Sequence, residues 1–320
     1  MGAETLVLGS RGSQLALWQT NHIKSTLESL YPKLSIRVEI IKTLGDKILD
    51  SPLSKIGDKG LFTKEIEHAL IEKTIDLAVH SLKDIPTKLP DGLAIGAITK
   101  REDVRDVFIA NKRRGKRFAE LPPDAVIATG SLRRKCQLLL HRPNLSIVDI
   151  RGNLNTRMQK LDESDWDGMI LAKAGVTRLG WEASITDILP TDIMLPAVGQ
   201  GALAIEIRDE DPRIQQIINP LHHEPTAQAV TCERALLRRL EGGCQVPIGA
   251  FGRVEYNQLT LDAMIGSLDG KRMVRGSIKG LPRHAESLGT TLAEQLLDRG
   301  GKEILDEINA AGRKLDIPNT

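Results

Sequence analysis

Clusters of glycine, hydroxyl and cationic residues follow five short apolar segments of the chain. The clusters contain Ser10, Arg11, Gly12 and Ser13; His80, Ser81, Lys83 and Asp84; Thr129, Gly130, Ser131, Arg133 and Arg134; Arg151, Gly152, Asn153 and Arg157; and Lys173, Gly175 and Arg178. This composition suits an anion, because planar guanidinium groups pair with carboxylates and glycine lets backbone N–H groups approach them. A single arginine of this kind is ordinarily a solvated loop charge, but five repeats predict a site for a polyanion.

Asp84 is a carboxylate that lies within one of these cationic clusters. It follows a predicted buried strand and precedes Pro86 in the segment His-Ser-Leu-Lys-Asp-Ile-Pro. A carboxylate among cations stays ionised, and it can stabilise a developing positive charge or move a proton. The residues alone leave open the alternative that Asp84 caps the following turn. Asp46, which follows Gly45, has the same two interpretations, with turn chemistry favoured.

The chain has only three cysteines, and an odd number cannot all pair with one another. This small set argues against a disulfide framework and indicates a reducing compartment. Cys136 and Cys232 fall in helical stretches and are predicted to be buried core side chains. Cys244 differs, because Gly242, Gly243 and Pro247 predict a shaped loop that presents its thiol to a cleft. Its neighbourhood offers no second cysteine and no adjacent histidine. The residues leave three roles open for it: nucleophile, redox sensor or attachment point.

The elements that must position these residues alternate between short Val- and Ile-rich runs and segments of helical period. This alternation predicts βαβ units on mainly parallel sheets, in which ligands bind beyond the carboxyl ends of the strands. The predicted strands are 6–9, 36–41, 75–79, 93–98, 106–110, 125–128, 145–150, 168–172 and 202–207, and the predicted helices between them cover about 13–30, 64–72, 131–141 and 153–161.

A length of 320 residues predicts more than one domain, because a single core stops growing at about 250–300 residues. Breaks near 99–105 and 196–201 predict a discontinuous first α/β domain, 1–101 plus about 200–221, with a second α/β domain, 102–199, inserted into it. Residues 222–320 predict a small α+β domain, with a helix at 226–240, strands near 250–256, 258–265 and 272–279, and helices near 284–298 and 302–310.

The composition excludes several classes of protein. A charged fraction of 27% and the lack of a long apolar run predict a soluble globular protein rather than a membrane protein. An apolar run begins almost at Met1 and leaves no room for a signal peptide, so the cytoplasm is the expected location. A net charge of +2 does not by itself indicate a polyanionic partner, and an aromatic content of 3% disfavours nucleic-acid binding by base stacking.

Seven segments of the chain resemble, in the same order, the porphobilinogen deaminase (hydroxymethylbilane synthase) family. The segments are Gly9 to Ala16, Gly57 to Phe62, Ala78 to Asp84, Ser131 to Arg134, Arg151 to Asn153, Leu195 to Gly201 and Glu241 to Pro247. The resemblance covers about residues 6–310. It implies two α/β domains like those of periplasmic binding proteins around a cleft, and a small α+β C-terminal domain.

The resemblance also implies a chemistry for the cluster residues. A dipyrromethane cofactor is attached through a thioether to Cys244, four porphobilinogen molecules are added head to tail with loss of ammonia, and water releases the linear tetrapyrrole hydroxymethylbilane. Asp84 matches the catalytic acid. No metal is implied, and the product would pass to the next enzyme of tetrapyrrole biosynthesis. The resemblance also implies that the protein is a monomer.

Carried over residue by residue, the resemblance implies three further groups of site residues. The implied cofactor contacts are Lys83, Ser81, Thr129, Ser131, Arg133, Arg134, Gly152 and Asp46; the implied substrate contacts are Arg11, Ser13, Gln19, Arg151, Arg157, Arg178 and Gln200; and the implied cleft-covering loop carries Lys55, Lys59 and Phe62. Six pyrrole rings, each with an acetate and a propionate, carry about a dozen carboxylates, which explains the many arginines.

The leading hypothesis is therefore a transferase of this family. The alternative is a non-catalytic, two-lobed binding protein for a small anion. Cys244 distinguishes the two, because a simple binding protein has no use for a thiol on a shaped loop of a third domain.

Overall fold

The computed structural model describes residues 5–47, 60–240 and 246–315, and within them the chain forms three β-sheets. The strands are β1 (Thr5–Ser10), β2 (Ser35–Ile40), β3 (Leu77–Ser81), β4 (Leu93–Ile98), β5 (Asp106–Ala110), β6 (Val126–Ala128), β7 (Ser146–Val148), β8 (Gly168–Ala172), β9 (Asp187–Leu189), β10 (Leu203–Arg208), β11 (Ile248–Glu255), β12 (Gln258–Gly266) and β13 (Met273–Gly280). The described α-helices are α1 (Gln14–Leu30), α2 (Leu44–Lys47), α3 (Lys64–Ile71), α4 (Leu132–His141), α5 (Leu154–Glu163), α6 (Lys173–Arg178), α7 (Pro212–Ile218), α8 (Glu224–Arg239), α9 (Ala285–Leu296) and α10 (Lys302–Leu315).

The first two sheets share one topology. The first has the order β2-β1-β3-β10-β4, and the second has the order β7-β6-β8-β5-β9. In each sheet the fourth strand is antiparallel to both of its neighbours, and it reaches that position only after the chain has crossed between the sheets. The chain crosses once between β4 and β5 and again between β9 and β10. We call these connections the crossing segments, and we call each sheet with its helices a lobe.

The parallel strands form these sheets because their apolar residues are buried on both faces. In β3, residues 77–80 are all buried, and a strand that is buried on both faces is typical of a sheet covered by helices. Helix α1 contributes Ile23 and Leu27 to the same core, which lies between the first sheet and its helices. The strands are therefore rigid supports for the polar residues at their ends.

The third sheet, β11-β12-β13, is antiparallel and carries α8 and α9 on one face. Its core includes Leu236 of α8, Leu261 of β12 and Leu292 of α9, all fully buried. The α9 helix stops before Gly300, which has φ of 104° and so takes a conformation that favours glycine. The predicted fold class, two α/β domains with a small α+β domain, is confirmed.

Some element bounds differ from the sequence prediction. The predicted strand 75–79 lies two residues later, at 77–81, so Ser81 ends the strand instead of following it. The predicted strand 145–150 is only three residues long. Strand β9 and helix α7 were not predicted, because each is too short to show a periodic pattern.

Candidate functional site

The two lobes face each other across a cleft, at the carboxyl ends of their parallel strands. Asn155 of α5 donates a hydrogen bond of 2.7 Å to Gln14 of α1, which joins the lobes at the edge of this cleft. Deeper in, Arg157 of the second lobe and Asp84 of the first are close enough to interact electrostatically. The strand-end clusters, which are far apart in the sequence, therefore lie along one cleft.

The wall of the first lobe contains a recess of about 390 Å³, including its open mouth. It is lined by Arg11, Ser13, Leu15, Ala16, Gln19, Phe62, Thr63, Val79, His80, Ser81 and Asp84. The Ser13 hydroxyl accepts a hydrogen bond from the Ala16 amide and caps α1, so this predicted ligand contact also begins the helix. Gln19 is buried, and its amide nitrogen donates to the Ser81 hydroxyl at 2.9 Å. This bond fixes the end of β3 against α1.

Arg11 is held by Asp46 and Phe62. Its guanidinium lies 2.5 Å from the Asp46 carboxylate and 4.1 Å from the centre of the Phe62 ring. Thr43 donates to the same carboxylate at 2.8 Å. Burial would raise the pKa of Asp46, but the hydrogen bond and charge of Arg11 outweigh burial and lower it. Asp46 therefore orients Arg11, a role that the turn interpretation of the sequence did not include.

Asp84 ends a one-turn 3₁₀ helix, Leu82–Asp84, directly after β3. Its side chain is exposed in the cleft, and no hydrogen bond joins its carboxylate to the described residues. The turn is closed by backbone atoms, since the Ile85 amide donates to the Leu82 carbonyl at 3.2 Å. An aspartate that caps a turn would make such bonds itself, so the geometry favours a functional carboxylate over a cap.

Lys83 lies next to Asp84 and also reaches solvent in the cleft. Nearby protein atoms partly desolvate the ammonium group and lower the pKa of Lys83 to about 8, although the negative charge of Asp84 partly offsets the effect. The cations Arg133 and Arg134 lower it further. Lys83 is therefore a partly desolvated cation in a region that also contains two arginines.

Arg133 and Arg134 share a buried partner, Asp106 at the start of β5. Each guanidinium lies 2.8 Å from the Asp106 carboxylate, and all three side chains are at most 7% exposed. Burial alone would raise the pKa of Asp106, but the two guanidinium charges hold it well below its usual range. Gln200, another predicted contact, donates to Asp106 at 2.9 Å and to the Val104 carbonyl at 2.7 Å. These three predicted ligand contacts thus belong to a buried network between the lobes.

Thr129 and Ser131 shape the backbone that leads into α4. The Thr129 hydroxyl accepts from the Ser131 amide at 3.2 Å, and the Ser131 hydroxyl accepts from the Arg134 amide as the helix cap. Gly130 between them permits a close approach, since a Cβ there would lie 2.7 Å from the Ile150 carbonyl oxygen.

The arginines after β7 differ in how tightly they are held. A buried guanidinium nitrogen of Arg151, Nη1, has no hydrogen-bond partner within the described part of the chain. Arg157 donates from Nε to the Gly152 carbonyl at 2.8 Å, and burial lowers its pKa to about 10. Gly152 has φ of 113°, which a residue with a side chain rarely adopts. Arg151 and Arg157 therefore retain donors for a ligand.

Arg178 lies apart from the open cleft surface. It is buried and donates to the Gly201 carbonyl at 2.7 Å, in the crossing segment before β10. Burial lowers its pKa to about 10. The hydrogen bond to Gly201 holds Arg178 against the crossing segment. The predicted contact of Arg178 with substrate stays a prediction.

Three predicted residues, Cys244, Lys55 and Lys59, lie outside the described residues. The loop that carries Cys244 joins two anchored ends: Leu240 is buried in the core of the third domain, and Val246 packs against the same core. Cys136 and Cys232 are fully buried, as predicted, and burial raises the pKa of each thiol to about 12. Neither thiol is available as a reactive group at neutral pH.

Asp106 and Glu206 are the site-adjacent residues that the sequence reasoning missed. Each is an acid inside an apolar strand, Asp-Val-Phe-Ile-Ala in β5 and Leu-Ala-Ile-Glu-Ile-Arg in β10. That pattern is the available signal, because an acid within a buried strand requires a cationic partner. The sequence does not reveal which cation that is.

The arrangement suits a ligand with many carboxylates. The partly free donors of Arg11, Lys83, Arg151 and Arg157 line one cleft, and the Asp84 carboxylate, which has no hydrogen-bond partner among the described residues, lies among them. Among the described residues, no group of three or more His, Cys, Asp or Glu side chains could hold a metal ion. None of the described helices has both the length and the apolar character that a bilayer crossing needs.

These features define a two-lobed α/β protein with a cationic cleft in which the Asp84 carboxylate is exposed. The family model "Porphobilinogen deaminase, dipyromethane cofactor binding domain" matches residues 6–216, and "Porphobilinogen deaminase, C-terminal domain" matches residues 227–298. The chain belongs to the porphobilinogen deaminase family. It is a transferase that uses a dipyrromethane cofactor and makes hydroxymethylbilane in tetrapyrrole biosynthesis.

Curated relatives match nearly the whole chain. Porphobilinogen deaminase of Carboxydothermus hydrogenoformans is 52% identical over 303 residues, which are 95% of this chain and 97% of that protein. Porphobilinogen deaminase of Geobacter sulfurreducens is 52% identical over 320 residues, with 99% of this chain and 100% of that protein covered.

Solved structures with low sequence identity also align with the chain. The BenM effector binding domain with benzoate aligns with a TM-score of 0.40 at 14% identity, over 68% of this chain and 91% of that domain. The periplasmic VFT2 domain of BvgS from Bordetella pertussis aligns with a TM-score of 0.38 at 12% identity, over 68% of this chain and 85% of that domain.

Proposed function

We propose that Asp84 is the catalytic acid and base of this enzyme and that Cys244 is the attachment point of its cofactor. The observation that carries the proposal is the uncommitted Asp84 carboxylate, exposed in a cleft of cations that reaches from both lobes. A carboxylate in that position accepts hydrogen bonds from pyrrole N–H groups and stabilises the positive charge that develops as ammonia leaves porphobilinogen. It can then accept the proton that is lost when the new carbon–carbon bond has formed.

The cofactor fits the residues around Asp84. Arg151 Nη1 and Arg134 Nε have no acceptor among the described residues, and desolvation lowers the pKa of Lys83, so the acetate and propionate groups of a dipyrromethane would supply acceptors and negative charge here. When bound, the dipyrromethane supplies the pyrrole carbon to which the first substrate unit is joined. Lys83, Ser81, Thr129, Ser131, Arg133, Arg134 and Gly152 would hold it, while Asp46 positions Arg11.

The remaining predicted residues would bind the substrate. Arg11, Ser13 and Gln19 line the recess beside Asp84, and porphobilinogen would lie at its open mouth with its carboxylates on Arg11 and its ring beside Asp84. Arg151, Arg157, Arg178 and Gln200 would receive carboxylates of the growing chain from the second lobe. Phe62 would cover the recess together with Lys55 and Lys59.

We further propose the domain bounds 1–101 plus about 200–221, 102–199 and 222–320. The two crossing segments support these bounds, because within the described residues the polypeptide passes between the first two sheets only at these two segments. A monomer in the cytoplasm, which passes its product to the next tetrapyrrole enzyme, is the proposed setting. Two free, buried cysteines support a reducing compartment.

Intact-mass spectrometry under denaturing conditions tests the attachment. We expect the purified chain to be heavier than its sequence by two linked pyrroles, and Cys244→Ser to lack this addition. Cys136→Ala is the matched control, because it removes a buried thiol and should keep the addition. An unmodified chain that still releases ammonia from porphobilinogen would refute the proposal, and a chain that binds porphobilinogen without releasing ammonia would favour the binding protein.

The pKa of Lys83, about 8, gives a pH prediction for cofactor loading. Only the protonated amine attracts a carboxylate, so this attraction is present below about pH 8 and is lost as the pH rises through that value. We expect the rate at which the apo chain is loaded, relative to a Lys83→Arg variant at the same pH, to fall between about pH 7 and 9. The arginine stays charged throughout this range.

The loading rate is measured as the increase of the heavier mass with time. Because both chains carry the same Cys244 thiol, the ratio removes the effect of pH on the thiol itself. A ratio that stays constant with pH would contradict a binding role for the Lys83 charge.

A further inference from the structure

A buried histidine–carboxylate pair lies directly beneath the catalytic turn. His80 of β3 and Glu206 of β10 place Nε2 and Oε2 3.0 Å apart, with side chains that are 4% and 0% exposed. The register pairs Ala204 with His80 and Ala78 with Glu206, so the two side chains share one face of the sheet. The proposed mechanism leaves this pair without a role.

His80 is the close partner of Glu206 among the described residues. The contact is a close polar approach and not a hydrogen bond, since His80 Nε2 and both carboxylate oxygens of Glu206 lack a hydrogen-bond partner among the described residues. Helix α3 covers the same face and brings a second acid, Glu67, whose pKa is raised by burial and by the Glu206 charge. The pair therefore lies in a dry space where a polar contact is strong and an unpartnered group is costly.

Stability alone does not account for such a pair. Burying two ionisable groups costs about as much as their attraction returns, and well-packed apolar side chains of similar size are often equally stable. What the pair adds over apolar packing is a specific polar contact at 3.0 Å, which favours one position of its strand, whereas apolar side chains can slide. The strand so fixed is β3, which leads into the turn of Asp84.

The end of β3 is in fact held on both faces. On the α1 face, Ser81 accepts from Gln19 at 2.9 Å, and on the other face His80 meets Glu206. The next residue, Leu82, donates its amide to the Ala202 carbonyl at 3.0 Å, at the end of the second crossing segment. The catalytic turn thus starts from a strand end that is tied to α1, to β10 and to a crossing segment.

We propose that His80 and Glu206 are positioning residues for Asp84, and that their contact keeps the 82–84 turn at a fixed depth in the cleft. This inference rests on the proposed catalytic role of Asp84. Misplacement of a catalytic group by about 1 Å can reduce the rate about 100-fold, so loss of the contact should lower kcat by about 10- to 100-fold. KM should change less than kcat, because the cations that bind the substrate carboxylates lie on other elements and His80, which lines the recess, is only 4% exposed.

A double apolar variant separates positioning from stability. In His80→Leu/Glu206→Met no buried polar group is left alone, so we expect a thermal midpoint close to that of the wild type and normal cofactor loading by intact mass. We nevertheless expect the lowered kcat. Hydrogen–deuterium exchange should be faster in segment 81–84 of this variant, which reports on the turn without reference to activity.

The conservative variant Glu206→Gln is the matched control, because it keeps the size of the side chain and a polar oxygen beside His80 Nε2. We expect it to keep most of the wild-type kcat. A double apolar variant with wild-type kcat and exchange would overturn the proposal and leave the pair a packing feature. A Glu206→Gln variant as slow as the double variant would also overturn it.

Asp84→Asn, measured alongside, separates this proposal from the proposed function. If that variant is fully active, the role of Asp84 fails whatever the pair does. If it is inactive while the double apolar variant is fully active and loaded, only the positioning role fails.

Discussion

Replacing Asp84 with asparagine should reduce kcat by about 10²- to 10⁴-fold, the range over which a positioned general acid or base contributes. Asparagine keeps the size of the side chain but can neither carry the negative charge that stabilises a cationic pyrrole nor exchange a proton. Because the carboxylate makes no hydrogen bond to the described residues, the substitution should not disturb the fold. The ammonia released per enzyme per second from porphobilinogen measures the effect.

The variant should still carry the cofactor, which intact mass will show. Asp91→Asn is a suitable control, since Asp91 is an exposed acid of the same lobe, between β3 and β4, and lies outside the proposed site. We expect it to turn over at the wild-type rate. Asp84→Asn with near-normal turnover would remove Asp84 from its proposed role, whereas an unloaded Asp84→Asn chain would assign it to cofactor loading instead.

The sequence predicted that cationic residues collect after the strands, because strand ends are local features. A βαβ alternation indicates which end of each strand faces a ligand crevice, so Arg11, Lys83, Asp84 and Arg151 were expected there, and the resemblance to the family implied that they share one cleft. Buried Cys136 and Cys232 followed equally from their helical context. These predictions depend only on residues that are close in the chain.

What the sequence did not predict are the partners of those residues across the fold. Arg133 and Arg134 have the same local pattern as Arg151, yet both are tied to Asp106, a residue of an antiparallel strand more than 25 positions away. Nothing in the sequence says that β5 lies beside β8, since the chain crosses between lobes to place it there. Ion pairs between strands that are distant in sequence are decided by topology, and so is the His80–Glu206 pair.

The same reasoning identifies the residue on which all three domains depend. Glu233 of α8 is fully buried and accepts hydrogen bonds from Arg101 and from the backbone amides of Gly199 and Gly252, the last two at 2.7 Å. Arg101 lies in the first crossing segment, Gly199 in the second and Gly252 in β11. One carboxylate therefore joins both connections between the lobes to the third domain.

Replacing Glu233 with alanine should lower the free energy of unfolding by about 3–5 kcal/mol, the usual cost of breaking a buried pair from one side. The variant leaves the Arg101 guanidinium, which is 9% exposed, without its counter-charge, and it leaves two buried amides without an acceptor. Denaturant unfolding of the whole chain measures the loss. The matched control is Glu286→Ala, which breaks the exposed Arg238–Glu286 pair of the same domain and should cost about 0–1 kcal/mol.

A double variant tests whether the cost comes from the stranded charge. Arg101→Ala/Glu233→Ala removes both charges, so it should be less destabilised than the sum of the two single variants. Purely additive losses would mean that the two side chains act independently. A Glu233→Ala chain as stable as Glu286→Ala would mean that the contacts of Glu233 do not hold the domains together. If the prediction holds, the cationic cleft and Asp84 keep their relative positions because one buried carboxylate fixes both crossing segments to the domain that carries Cys244.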